Sequence, residues 1–76
     1  MKQILESIIL NIVDNREAVS IEEIIDGENV VYKVKVADND MGRVIGKQGR
    51  VAKAIRTLMK SLGSKEKKRI TIEFVD

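Results

Sequence analysis

Gly46 and Gly49 bracket Lys47 and Gln48 in the stretch VIGKQGRVAKAI, residues 44–55, and the cations Arg43, Lys47, Arg50 and Lys53 crowd around the pair. Glycine lets a backbone reverse sharply with no Cβ in the way. Bare backbone edged by cations suits a phosphate. Spacing separates the phosphate-binding patterns. A P-loop needs G-x-x-x-x-G-K-[ST], but Gly42 and Gly46 are too close and Gln48 follows Lys47 where Ser or Thr is required. The dinucleotide pattern G-x-G-x-x-G needs glycine at position 44, which is Val44, and a larger βαβ sheet. A G-x-x-G turn between two helices fits.

Other chemistry is poorly supplied. The chain has no cysteine and no histidine, which removes disulfides, thiol nucleophiles, imidazole bases and the usual zinc sites. Ser7, Ser20, Ser61 and Ser64 have no neighbouring base to activate them, and Glu22-Glu23 reads as exposed acids near a strand end. No catalytic residue, metal, cofactor or small-molecule substrate is expected. Aromatic content is 3%, from Tyr32 and Phe74, too little for an aromatic stacking platform.

The net charge of +2 hides a strong asymmetry. Residues 1–41 carry four cations against nine carboxylates, net −5, whereas residues 42–69 carry ten cations against Glu66 alone, net +9. A basic segment beside an acidic one suits a polyanion on one face. Glu6, Asn11 and Asp14 interrupt the apolar N-terminus, so neither a targeting signal nor a membrane span is expected there. The cytoplasm is the default location.

The elements around the turn follow from periodicity. Ile4, Leu5, Ile8, Ile9, Ile12 and Val13 predict a helix over 2–13, with a turn at Asp14-Asn15. Residues 18–25 and 30–36 read as strands, joined by Asp26-Gly27-Glu28-Asn29 in a hairpin. Tyr32, Val34 and Val36 fall on one face and Lys33 and Lys35 on the other. Asp38, Asn39 and Asp40 are candidate caps for a short helix that Gly46 ends. A second helix over 50–62 places Val51, Ala54, Ile55, Leu58 and Leu62 toward the core, Lys53, Arg56 and Lys60 outward, and Gly63 at its C-cap. Residues 70–75 alternate as a last strand. Its connection through helices predicts parallel pairing by a right-handed crossover.

With strand, helix, G-x-x-G, helix and strand in that order, Val44-Ile45 before the turn and Arg50 after it, the motif V-I-G-K-Q-G-R resembles the KH domain. The added N-terminal helix and strand resemble its type II, prokaryotic arrangement across essentially the whole chain. A single free-standing domain, residues 1–76, resembles the small bacterial KH proteins of the KhpA type. The resemblance implies an α+β fold, α-β-β-α-α-β, with a three-stranded mixed sheet and helices packed on one face. It implies a non-enzymatic protein that binds single-stranded RNA, holding about four nucleotides in the loop, with their bases over an apolar groove beside the last strand. Positions that match such a site are Arg43, Gly46, Lys47, Gln48, Gly49, Arg50 and Lys53 for the backbone, and Val44, Ile45, Val51 and Ile70 for the groove.

Single-stranded DNA presents the same phosphates. The basic loop of Lys65, Lys67, Lys68 and Arg69 could touch RNA or only raise the local potential. The resemblance also implies an RNA chaperone or post-transcriptional regulator linked to cell elongation and division. It would act with a second KH protein of the KhpB type or with its own copy. Leu10, Val13 and Met59, off the expected stripes, are candidate contacts for such pairing.

Overall fold

A computed structural model describes residues 1–75. The elements are α1 (Lys2–Leu10), β1 (Ser20–Asp26), β2 (Asn29–Lys35), α2 (Asp38–Ile45), α3 (Arg50–Lys65) and β3 (Arg69–Val75), with single 3-10 turns at Arg16–Ala18 and Lys47–Gly49. The sheet order is β1-β2-β3. β1 pairs antiparallel with β2, and β2 pairs parallel with β3. Order and topology are those the KH resemblance implies.

The central strand fixes the core. Val30, Tyr32 and Val34 of β2 are buried on the face toward the helices, with Val36 just after the strand buried too, joined by Ile70 and Ile72 of β3 and Ile21 of β1. The pleat sends alternate residues to opposite faces, so Glu22, Lys33 and Glu73 line up across the other face with alternating charge, a favourable cross-strand arrangement. Leu5 and Ile9 of α1, Val13 after it, Val44 of α2, and Ile55 and Met59 of α3 close the core from above. None of the helices among the described residues is long and apolar enough to cross a membrane.

The helices depart from the periodicity in instructive ways. α1 stops at Leu10, three residues early. Asn11 through Val13 continue as a tight turn in which the Ile12 and Val13 N–H groups donate to the Ile9 carbonyl, at 3.0 and 3.2 Å. Asp38 and Asp40 form the first turn of α2 rather than its cap, which is Ala37. Their charge still suits the helix N-terminus.

The largest difference is in α3. Its buried residues are Ala52, Ile55, Met59 and Gly63, while Ala54 and Leu58 face solvent. The helix is therefore turned by about a quarter turn from the face its larger apolar residues mark. Small side chains explain the rotation. A Cβ on Gly63 would lie 2.3 Å from Ile70 Cγ1, so glycine lets α3 settle against β3. Gly63 consequently lies inside the helix, not at its C-cap. Lys67, at φ 58°, makes the left-handed turn instead. The Lys68 N–H donates to the Gly63 carbonyl and the Lys67 N–H to the Ser64 carbonyl, at 2.8 and 3.1 Å, a Schellman closure.

Candidate nucleic-acid interface

The two glycines do different work. Gly46 ends α2 at φ 79°, ψ 170°, a conformation essentially restricted to glycine. Its N–H still donates to the Gly42 carbonyl at 2.9 Å. A Cβ there would lie 2.4 Å from Val51 Cγ2 and 2.8 Å from the Val51 nitrogen. Gly46 thus lets the incoming chain press against the start of α3. Gly49 takes φ 74°, ψ 15° as the N-cap of α3, with nothing within 4 Å of where a Cβ would be. Its backbone is bare toward solvent. Between them Gln48 also adopts a left-handed conformation, φ 58° and ψ 26°, uncommon for a side chain of its size.

This turn exposes Lys47-Gln48 at the tip and aims the first turn of α3 outward. α3 begins without a side-chain cap and without an acidic residue in its first turn. Its N-terminal N–H groups and positive dipole end suit an anion. Lys47, Gln48, Arg50 and Lys53 are all exposed around it. The loop, the helix end and these cations converge on one patch with the chemistry to hold a sugar–phosphate chain.

Arg43 is placed elsewhere. Its guanidinium pairs with Asp14 at 2.8 Å and lies 3.7 Å from Asp40, tied to the segment after α1. Asp40 organises that junction: it is fully buried and accepts from the Asp14 and Asn15 N–H groups at 3.0 and 2.9 Å. Those donors hold its carboxyl below its ordinary value of 3.8, with burial opposing and Arg43 assisting. The run Asp38-Asn39-Asp40, read only as caps, gave no sign of this, because the partners are backbone groups some 25 residues away in sequence.

The groove beside the loop also differs from expectation. Val44 and Ile70 are 0% and 2% exposed, so their side chains belong to the core and support the groove from beneath. Ile45 and Val51 are only partly buried and remain at its surface. Val13 and Met59 are likewise core residues, which removes them as pairing contacts; Leu10 is half-buried.

Arg56, expected to point into solvent, instead leans across to β3. Its Nε donates to the Ile72 carbonyl at 3.2 Å, and its guanidinium carbon lies 5.3 Å from the centre of the Phe74 ring, a cation–π distance. Lys53 and Arg56 thus follow one another along the flank of α3, one near the loop and one at the strand. Farther along, Lys60, Ser64, Lys67, Lys68, Arg69, Ile70 and Glu28 enclose a depression of about 430 Å³. The basic loop therefore walls a real concavity, about 20 Å from the G-x-x-G turn at 1.5 Å per helical residue. Among the described residues, no three His, Cys, Asp or Glu side chains are grouped to hold a metal ion.

With this geometry in view, comparison with known proteins is specific. The family model for the KhpA/KhpB KH domain matches residues 2–74. A Clostridium acetobutylicum protein named RNA-binding protein KhpA is 47% identical over 75 residues, covering 99% of this chain and 100% of the relative. A Listeria monocytogenes protein of the same name is 46% identical over 76 residues, the full length of both. One from Chlamydia pneumoniae is 42% identical over 76 residues, covering 100% of this chain and 97% of the relative. No solved structure gives a significant match. Agreement over the whole length, on a chain that also has the topology and the glycine turn, establishes that it belongs to the KhpA/KhpB family of KH domains.

Proposed function

We propose that the protein binds single-stranded RNA non-enzymatically. Gly46–Gly49 and the N-terminus of α3 would hold the sugar–phosphate chain, with the bases lying along the groove between α3 and β3. The observation that carries this reading is the convergence at one patch of a bare glycine turn, the uncapped helix end and the cations Lys47, Arg50 and Lys53. The names of the relatives support RNA as the polyanion. With Arg43 tied to Asp14, three cations remain for phosphate contact. Each phosphate neutralised on a single strand contributes about −0.7 to the log–log salt slope, so three give about −2.

Replacing Lys47 and Gln48 together with aspartate tests the reading. Aspartate tolerates the left-handed backbone of position 48, so circular dichroism should be unchanged. Titration with single-stranded RNA should show binding abolished. Undiminished binding by the folded variant refutes the proposal. Single-stranded DNA in parallel reports whether the 2′-hydroxyl is read.

A second reading concerns pairing. Leu58 is 45% exposed and, with Ala54, Thr57, Ser61, Arg50 and Lys53, forms a largely apolar depression on the outer face of α3. This face supports association with a second KH domain, of the KhpB type or another copy, which would join two RNA-binding surfaces and raise avidity. Replacing Leu58 with glutamate should reduce the sedimentation coefficient at high concentration if copies pair. The family resemblance extends the proposal to a cytoplasmic RNA chaperone or post-transcriptional regulator affecting cell elongation and division. Cell length in a strain carrying the double aspartate variant measures that extension.

A further inference from the structure

β3 is an edge strand of the sheet, and its free edge borders the groove beneath α3. In a strand, one residue's N–H and C=O point to the same side, and successive residues alternate. The Arg69 N–H donates across to the Glu28 carbonyl, so Arg69, Thr71 and Glu73 bond toward β2. Ile70, Ile72 and Phe74 turn their backbone groups to the free edge. The Ile72 carbonyl accepting from Arg56 confirms this parity.

Arg56 changes what that edge offers. The acceptor at Ile72 is occupied by Arg56 Nε, and the guanidinium is held over the Phe74 ring. A guanidinium has five N–H donors and no acceptor. With Nε committed to the strand, the terminal nitrogens keep four donors in a plane fixed at two points. The Ile72 N–H adds another donor on the same edge. A base edge set against the terminal nitrogens of Arg56 and the Ile72 N–H meets donors. Guanine presents O6 and N7, two adjacent acceptors that a guanidinium fork engages together, whereas adenine presents N7 beside its N6 amino donor.

We infer that Arg56 is a specificity-determining residue that makes this groove select guanine over adenine at the base lying against Ile72. The inference rests on the proposed RNA-binding reading and adds to it which base the groove prefers. Lysine at this position could keep the charge but not the planar fork.

The test uses uridine-rich single strands carrying guanine, inosine or adenine at each position in turn, titrated against the full-length protein by fluorescence anisotropy. At one position guanine should bind at least about fivefold tighter than adenine, the lower end of what a bidentate pair supplies. Inosine, which keeps O6 and N7, should match guanine. Arg56→Ala and Arg56→Lys should lose the preference while still binding RNA. In the wild type, the Arg56 Nε–H resonance should stay in place on addition of the guanine strand while the terminal N–H resonances shift. This measurement does not depend on a variant folding. Equal affinity for guanine and adenine at every position, or a preference that survives in Arg56→Lys, overturns the inference. If RNA binding remains abolished by the Lys47 and Gln48 replacements in that case, the RNA-binding reading stands without it. If the wild type binds none of the strands, both fail.

Discussion

Alanine at Gly46 and alanine at Gly49 should have opposite consequences. At Gly46 the backbone sits at φ 79°, ψ 170°, where a side chain costs about 1–3 kcal/mol. The new Cβ would also meet Val51 Cγ2 at 2.4 Å and the Val51 nitrogen at 2.8 Å. The first contact yields if Val51 rotates; the second does not yield without moving the first turn of α3. Overpacking of this kind adds about 1–3 kcal/mol, for a total of about 2–6. A domain of this length has about 4–11 kcal/mol in all, so Gly46→Ala should remove roughly half of it. Gly49→Ala costs only the left-handed strain, about 1 kcal/mol, because nothing lies within 4 Å. Urea unfolding followed by far-ultraviolet circular dichroism measures both. With a slope of about 1 kcal/mol per M urea, the midpoints should fall by about 2 M or more and about 1 M. Val51→Ala should return part of the loss in Gly46→Ala, because it removes Cγ2 but not the nitrogen. Gly49→Ala should fold and still bind RNA less well, since its methyl stands where a phosphate would approach the helix end. Equal midpoints for the two variants, or a Gly46→Ala protein within 1 kcal/mol of wild type, would refute the reasoning.

Asp40 titrates below its ordinary value when folded, so the stability it confers is full above pH about 4 and is lost as pH falls through its folded value; Asp40→Asn should flatten the acid limb of a stability–pH profile. Tyr32 is the mirror case. Burial, then the hydrogen bond to Glu23 Oε2 at 2.7 Å, push its hydroxyl well above 10.0, so stability is full below pH about 10 and falls above it. The Tyr32→Phe protein should lose less stability than wild type between pH 9 and pH 11. Gly63→Ala should destabilise by up to about 2 kcal/mol, an overpacking cost of about 1–3 set against a helix-propensity gain of about 1. In a double-mutant cycle with Ile70→Ala the two changes should couple, since Ile70 Cγ1 is the atom met at 2.3 Å.

Much of the architecture was legible because it rests on local signals. VVYKVKV and ITIEFV alternate with period two, and each forms a strand with its apolar set inward. The turn at Gly46–Gly49 was legible because only glycine fills such backbone positions easily. What failed to show were the long-range partners. Arg43 looked like a phosphate contact by proximity to the loop, yet Asp14 holds it. Arg56 looked solvated because it lies off the apolar stripe, yet it reaches a strand carbonyl 16 residues onward. Asp40 looked like a cap and is a buried acceptor.

The rotation of α3 shows the same division. Counting apolar bulk put Val51, Ala54, Leu58 and Leu62 inward. The fold chose the face with Ala52 and Gly63, where the smallest side chains allow the closest approach to β3. The amino-acid order by itself determined which segments are helix or strand, where the glycine turn falls and which stretch is basic, because each follows from neighbours along the chain. Which face of α3 is buried, which cations stay free for a ligand and which strand edge lines the groove were decided only by tertiary packing, because each depends on what meets a side chain from a distant segment.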